Sequence, residues 1–272
     1  MTAAPNGPNE METREPGWFG PDSVVWRLHA DPCMLAGGMR ALLIQALEPR
    51  AMAGVAQHSA YKEDPWGRLR RTTEFVYATT YGDVAAAEAA CARVRGVHTR
   101  VHGIDPETGR AYRADDPDLL LWIHAVEVDS FVVAYRAFAG RLSEADADRY
   151  TREMGRVAEA VELPADMVPQ TYQEIREYLT SMTGLVATQA ARDGMRTILN
   201  PPMPVQFRPL WAVVVTATMA ILPSWVRGAY GLPWPPGVLL PVRLNVYAIT
   251  RAMNLLLPRA PIIREARAHA AA

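Results

Sequence analysis

Apolar residues recur along most of this chain at spacings of three and four, which is the period of a helix that buries one face. Proline and capping residues divide this pattern into about ten helical segments. Nothing in the pattern indicates a sheet core, and no Gly-rich phosphate loop follows a strand-like segment. The pattern therefore predicts an all-α fold, a single-domain helical bundle.

Local signals set the predicted helix boundaries. Asp83 is a favourable N-cap for an Ala-rich helix over residues 84–102, which Gly103 would end in the left-handed conformation. Asp116 followed by Pro117 predicts the start of a helix over residues 118–138. The other helices are predicted around Trp26 and Leu28, at residues 34–47, 49–59 and 65–82, after capping boxes that begin at Ser143 and Thr171, and at residues 185–199, 210–222 and 242–257.

Two local features add detail to this picture. Residues 105–109, with the sequence Asp-Pro-Glu-Thr-Gly, are a strong turn signal that predicts one small β-hairpin. Gly37 and Gly38 interrupt an apolar helix, where each glycine costs about 1 kcal/mol relative to alanine. Such glycines indicate either the close approach of another backbone or a ligand, or slack near the start of the helix.

The composition fits one domain. A chain of 272 residues, 50% of them hydrophobic, can fill a sizeable core. The first 16 residues are polar and Pro-rich, and they are predicted to form a disordered tail. Residues 17–272 are predicted to form a single domain, in which the helices from about residue 205 complete the bundle.

Charge and cysteine content limit the partners. A formal net charge of -1 gives no long-range field that attracts nucleic acid or an anionic membrane, so no nucleic-acid partner is expected. Cys33 and Cys91 lack CxxC spacing and no secretory leader is present, which predicts a cytoplasmic protein. Residues 209–226 carry no charge, but only about 14 of them form a useful apolar run, so no transmembrane span is expected. Peripheral membrane contact and a homodimer are left open.

The candidate chemistry lies in the histidines, five of the six in the first 124 residues. If one helix covers residues 84–102, Arg95, His98, Thr99 and His102 share a stripe on it. His124 lies on the next predicted helix among apolar neighbours, as an interior residue does. A single histidine of this kind is more often a hydrogen-bonded core residue than a ligand, and the clustering is what raises the odds of a site.

The residues alone leave three kinds of function open. Imidazole in a helical bundle suits haem iron, zinc or non-haem iron. Zinc or non-haem iron would use His98, His102 and His124, although the HExxH and paired ExxH motifs are missing. Haem needs one axial histidine, an apolar pocket and a polar group on the opposite side. A non-catalytic helical protein that binds a hydrophobic metabolite is the third alternative.

Several short motifs, in their order and spacing, resemble the MpaB and latex-clearing-protein family, also called the rubber oxygenase catalytic domain. The resemblance covers roughly residues 17–185, and a weaker similarity covers residues 209–234. The motifs are GGMRALL at residues 37–43, residues 68–73, residues 95–103, YRADDP at residues 112–117 and LWIH at residues 121–124.

The resemblance implies a globin-like core that holds haem b, with dioxygen as co-substrate and a small hydrophobic, isoprenoid-like substrate that is oxidised or cleaved. The family's proximal iron ligand falls on His124. The distal motif Arg-x-x-Lys-Thr falls on Arg95, His98 and Thr99, with histidine in place of lysine. His98 would then be a second axial ligand or a donor to oxygen, with Arg95 and Thr99 as catalytic residues beside it.

Two further residues have alternative roles. His102 would serve a haem propionate or the end of its helix. Glu48 stands where many relatives of this family have the histidine of a His-Pro pair, and it would be either a base that lines the haem or a solvated residue at a helix start. The predicted function is that of an enzyme, a haem-dependent oxidoreductase of the oxygenase class.

Overall fold

Helices form most of the protein. The computed structural model describes residues 17–232, 237, 239–256 and 263, and this part contains twelve α-helices and one two-stranded sheet. The prediction of an all-α fold with one small hairpin is confirmed. The predicted tail, residues 1–16, lies outside the described residues, and the single domain over residues 17–272 stays a prediction.

The elements are named in chain order. The helices are α1 (Val24–His29), α2 (Met34–Gln45), α3 (Pro49–His58), α4 (Pro65–Tyr81), α5 (Val84–His98), α6 (Pro117–Phe138), α7 (Glu144–Ala160), α8 (Tyr172–Ser181), α9 (Gln189–Leu199), α10 (Arg208–Ile221), α11 (Ser224–Tyr230) and α12 (Leu239–Leu256). The strands β1 (His102–Ile104) and β2 (Ala111–Arg113) lie between α5 and α6. Short 3-10 turns at Ala165–Met167 and Val205–Phe207 precede α8 and α10.

Helix α5 is shorter than the sequence predicts. It ends at His98, with Thr99 as its C-cap, instead of reaching residue 102. His102 lies in β1, where it pairs with Arg113 of β2 in antiparallel register. The turn over residues 105–109 closes this hairpin, and strand pairing draws the preceding residues out of the helix. Gly103 is a strand residue, so its predicted role as a left-handed helix end is wrong.

Two C-terminal segments also differ from their predictions. Helix α9 begins at residue 189 instead of 185, because the Thr188 hydroxyl caps it and the Val186 amide bonds to the carbonyl of Leu47, 2.8 Å away. The stretch rich in Pro, Gly and Trp between the helices predicted at residues 210–222 and 242–257 contains the seven-residue helix α11, which ends at Gly231 with a φ of 68°. A helix this short offers too few periodic positions for the sequence pattern to reveal it.

Helix α6 is central to the fold. Asp116 caps it by accepting a hydrogen bond from the Asp118 amide, and Pro117 takes the first helical position, as predicted. More than half of its 22 residues are buried, and the apolar ones belong to five separate hydrophobic clusters. Residues on opposite faces of α6 are therefore held by different neighbours.

Helix α2 packs directly on α6 through Gly37. A Cβ atom at this position would lie 2.9 Å from the Phe131 ring, 3.1 Å from Cβ of Ala134 and 3.2 Å from the Ser130 carbonyl oxygen. At Gly38 a Cβ atom would only touch the Phe131 ring, at 3.9 Å. Of the two alternatives for these glycines, Gly37 has the close approach of another helix.

A buried ion pair joins the same two helices. Arg40 of α2 donates to Asp129 of α6 over 2.7 Å and to the hydroxyl of Ser130 over 2.6 Å. Its Nε atom donates to the carbonyl of Ile221 at the end of α10, and Tyr172 of α8 donates to the other oxygen of Asp129. One guanidinium and one carboxylate thus link four helices.

No single described helix has the length and apolar character needed to cross a membrane. Val205–Ile221 and Ser224–Tyr230 meet the criterion only when taken together, and they are bent by 116°.

The contact at Gly37 predicts a difference between two neighbouring alanine substitutions. We expect Gly37→Ala to be less stable than Gly38→Ala by about 1–3 kcal/mol, because both gain helix propensity but only the first overpacks the α2–α6 contact. Urea denaturation of the two variants measures the difference. Equal midpoints would contradict this prediction, because they would show that α6 shifts to make room for the added methyl group.

Candidate functional site

His124 is the most distinctive polar residue of the core. Helix α6 places it in the interior with 6% of its surface exposed, and its Nε2 atom has no hydrogen-bond partner among the described residues. Burial lowers its pKa to about 4, so the imidazole is neutral at physiological pH. A neutral, unbonded imidazole nitrogen is the form that binds a metal.

His29 and His58 are bonded instead. The two ring nitrogens of His29 lie 2.8 Å from the hydroxyl of Thr80 and 2.9 Å from that of Tyr150, and burial lowers its pKa to about 3. His58 Nε2 lies 3.1 Å from the hydroxyl of Tyr112. Both therefore act as hydrogen-bonded structural residues, the role that the sequence alone favours for any single histidine.

His98 shares the feature that sets His124 apart. It is the last residue of α5 and half-buried, and its Nδ1 atom is buried without a hydrogen-bond partner among the described residues. Burial lowers its pKa, and the nearby carboxylates of Asp115 and Glu162 oppose that shift. The ring is thus held next to acids at the junction of α5, the hairpin and the end of α7.

Arg95 and Thr99 flank His98 but are engaged elsewhere. Arg95 donates to the carbonyl of Ala160 over 2.6 Å and lies 3.6 Å from the carboxylate of Glu162. Thr99 is exposed, and its hydroxyl donates to the carbonyl of Gly96, 3.3 Å away. The guanidinium therefore fastens the end of α5 to the end of α7.

His102 does not join the other histidines on a helical stripe. It is an exposed residue of β1, because α5 ends at His98. Within the described ranges, no group of three His, Cys, Asp or Glu residues is arranged to hold a metal ion. The alternative of a zinc or non-haem iron site on His98, His102 and His124 is therefore not assembled among these residues.

Glu127 is a site residue that the sequence reasoning missed. It lies three residues after His124, on the same face of α6, and makes no hydrogen bond or ion pair with a described residue. Burial raises its pKa to about 7, although its side chain keeps some exposed surface. An acid within the apolar run of residues 119–134 was the signal that could have revealed it.

Arg68 on α4 is a second ionisable residue that forms no ion pair with a described residue. Its guanidinium donates to the hydroxyl of Ser59 over 2.9 Å and forms no ion pair with a described acid. Burial and the nearby Arg71 lower its pKa, so an anion beside it would be stabilised. Carboxylates such as the propionates of haem are anions of this kind.

Glu48 has a structural role. It is buried, with 4% of its surface exposed, and one carboxylate oxygen caps α3 by accepting from the amide of Ala51. The other oxygen accepts from Arg50 over 2.8 Å. The expected position at a helix start is correct, but the expected solvation is wrong, because both oxygens are bonded inside the protein.

The donors described above fit a haem. A buried imidazole whose Nε2 atom no described residue bonds suits an axial iron ligand, and Arg68, which has no acid partner among the described residues, suits a propionate. The class of protein is therefore an all-α protein with a buried, neutral imidazole whose Nε2 atom no described residue bonds.

The comparison with known families agrees with this class. Residues 26–252 match the model described as "ER-bound oxygenase mpaB/B'/Rubber oxygenase, catalytic domain". The chain belongs to this oxygenase family. Membership implies the use of dioxygen and a metal or haem cofactor. No match was found among curated proteins, and none among solved structures.

The position of Glu127 predicts a pH-dependent stability difference. At low pH the carboxyl is protonated in both the folded and the unfolded protein, whereas above its folded pKa of about 7 the folded state carries a buried charge. As the pH rises from 5 to 8, we expect the free energy of unfolding of Glu127→Gln to increase by about 1–3 kcal/mol relative to that of the unsubstituted protein. Urea denaturation at both pH values measures this gain.

Glu159→Gln is the matched control, since Glu159 is an exposed acid of α7. Its stability difference from the unsubstituted protein should change little over the same pH range. If the Glu127→Gln difference is equally flat, the carboxyl is not buried as described.

Proposed function

We propose that this protein is a haem b-dependent oxygenase that oxidises or cleaves a small hydrophobic, isoprenoid-like substrate. The observation that carries the proposal is the buried Nε2 atom of His124, which no described residue bonds. Leaving such an atom unbonded costs about 1–3 kcal/mol, and a ligand that bonds it offsets the cost. Membership of the oxygenase family supports the same chemistry.

His124 would be the proximal ligand of the haem iron. Its pKa of about 4 keeps the ring unprotonated, so the nitrogen lone pair is free for the metal over the physiological pH range. Its place on the central helix, with buried residues on both sides along the chain, holds the ring rigidly. Bound haem would supply the activation of dioxygen.

Three other residues would support the reaction. Arg68 would pair with a propionate, because its guanidinium has no acid partner among the described residues. Glu127, with a pKa of about 7, can hold or release a proton close to His124 at neutral pH. His98 would be the distal donor, since its buried Nδ1 atom needs a partner.

Arg95 and Thr99 would act together with His98 in this proposal. The bonds of Arg95 to Ala160 and Glu162 fix the last turn of α5, and with it the position of His98. Thr99, as the C-cap, sets where that turn ends. His102 is exposed beside this turn, and its service to a propionate stays a prediction.

Haem binding tests the role of His124. We expect purified protein reconstituted with haemin to show a Soret band that His124→Ala loses and that added imidazole restores in the variant. His58→Ala is the matched control, because His58 already has a partner in Tyr112, and it should keep the band. A His124→Ala protein that binds haemin as tightly as the unsubstituted protein would refute the assignment.

The distal role of His98 predicts a loss of turnover without a loss of haem. We expect His98→Ala to keep the Soret band and to consume oxygen with an isoprenoid alkene about 100-fold more slowly, the usual effect of removing a proton donor. His58→Ala is the control, because it removes a histidine that is already bonded to Tyr112. Unchanged turnover would exclude His98, and a changed spin state of the haem would make it a second axial ligand.

A further inference from the structure

Exposed apolar side chains are concentrated in the C-terminal helices. Among the described residues, eight of the thirteen large apolar side chains that are exposed lie between residues 205 and 249. Leu210, with 58% of its surface exposed, lies in the first turn of α10, and Leu240 and Leu244 lie on α12 with 66% and 60% exposed. Exposed apolar residues grouped in this way mark an interaction surface.

Helix α12 carries its apolar stripe on the outside. Leu240, Leu244 and Tyr247 follow one another at helical spacing and are exposed. Val246 and Thr250 are buried on the opposite side, where Val246 joins a cluster with residues of α6 and α10. A helix that only covers a core would be polar on its outer face.

The N-terminal half of α10 borders an apolar groove of about 390 Å³. The 3-10 turn before α10 and the helices α2 and α4 supply its other walls. Its lining residues are all apolar or aromatic: Leu35, Trp66, Leu69, Met203, Pro204, Phe207, Leu210, Trp211 and Val214. The exposed apolar residues Val205, Phe207, Leu210, Leu240, Leu244 and Tyr247 are called the C-terminal apolar surface below.

The charge of this part of the chain is one-sided. No Asp or Glu occurs from Gly194 to Arg264, whereas seven arginines do. Arg208, at the start of α10, and Arg243 and Arg251, on α12, are exposed and form no ion pair with a described acid. The surface therefore combines apolar side chains with uncompensated positive charge.

We propose that the C-terminal apolar surface docks onto a lipid bilayer that contains anionic phospholipids. Aliphatic and aromatic side chains would enter the headgroup boundary, and the three exposed arginines would pair with lipid phosphates and carboxylates. The helices would lie in the interface, as expected for segments bent by 116° between α10 and α11. This proposal does not depend on the proposed oxygenase reaction.

Charge favours the bilayer over a second copy of the chain. A two-fold symmetric dimer presents the same patch on both sides of its interface. Arg208, Arg243 and Arg251 would then meet a surface with the same charges and with no acid from residues 194–264 to pair with them. An anionic bilayer supplies the missing counter-charge.

Vesicle flotation tests the proposal. The full chain is mixed with vesicles of phosphatidylcholine alone, or of phosphatidylcholine with phosphatidylserine, and the bound fraction is measured. We expect binding to the mixed vesicles to be at least tenfold tighter and to weaken as sodium chloride is raised. No binding to the mixed vesicles, or equal binding to both, would overturn the proposal.

Two sets of variants locate the surface. Phe207→Gln and Leu244→Gln should each weaken binding about tenfold by removing an inserted side chain. Arg208→Gln and Arg251→Gln should each weaken it about fivefold, and only on anionic vesicles. All four positions are exposed, so circular dichroism spectra and melting temperatures should not change.

Ile104→Gln and Arg176→Gln are the matched controls, since both residues are exposed outside this surface. They should bind vesicles as the unsubstituted protein does, and an equal loss in the controls would overturn the proposal. Sedimentation of the same proteins tests whether a second copy of the chain binds this surface instead of a bilayer. A dimer that Phe207→Gln or Leu244→Gln dissociates, without any change in vesicle binding, would assign the surface to a second copy of the chain.

Discussion

The buried pair of Arg40 and Asp129 is the interaction on which the rest of the fold depends. Asp129 belongs to α6, and the hydrogen bonds around the pair reach α2, α8 and α10. Removal of one partner leaves an uncompensated charge in the core, which costs about 3–5 kcal/mol. Because α6 also carries His124 and Glu127, the position of the site relative to three neighbouring helices is fixed through this pair.

Much of the architecture could be predicted from local sequence signals. The cap at Asp116 and the proline after it gave the start of α6, and the turn at residues 105–109 gave the hairpin. The end of α5 was wrong because the pairing of His102 with Arg113 in the hairpin takes His102 out of the helix. Competition between a helix and a tertiary contact cannot be read from the helix alone.

The site was only partly predictable for the same reason. The sequence singles out His98 and His124, but it cannot separate them from His29, whose partners Thr80 and Tyr150 are 51 and 121 residues away along the chain. Glu127 was missed because its unusual pKa arises from burial, which depends on the packing of several helices. The solvation expected of Glu48 was wrong because Arg50 and the start of α3 bond its carboxylate.

The buried nitrogens of His98 and His124 that no described residue bonds also connect folding to ligand supply. Each buried nitrogen without a partner lowers the stability of the folded chain by about 1–3 kcal/mol. A group that bonds these atoms binds the folded state and not the unfolded one, so it raises the folded fraction by mass action. The steady-state amount of this protein in a cell should therefore rise with the concentration of the ligand that bonds these nitrogens, because the ligand-bound chain is degraded more slowly.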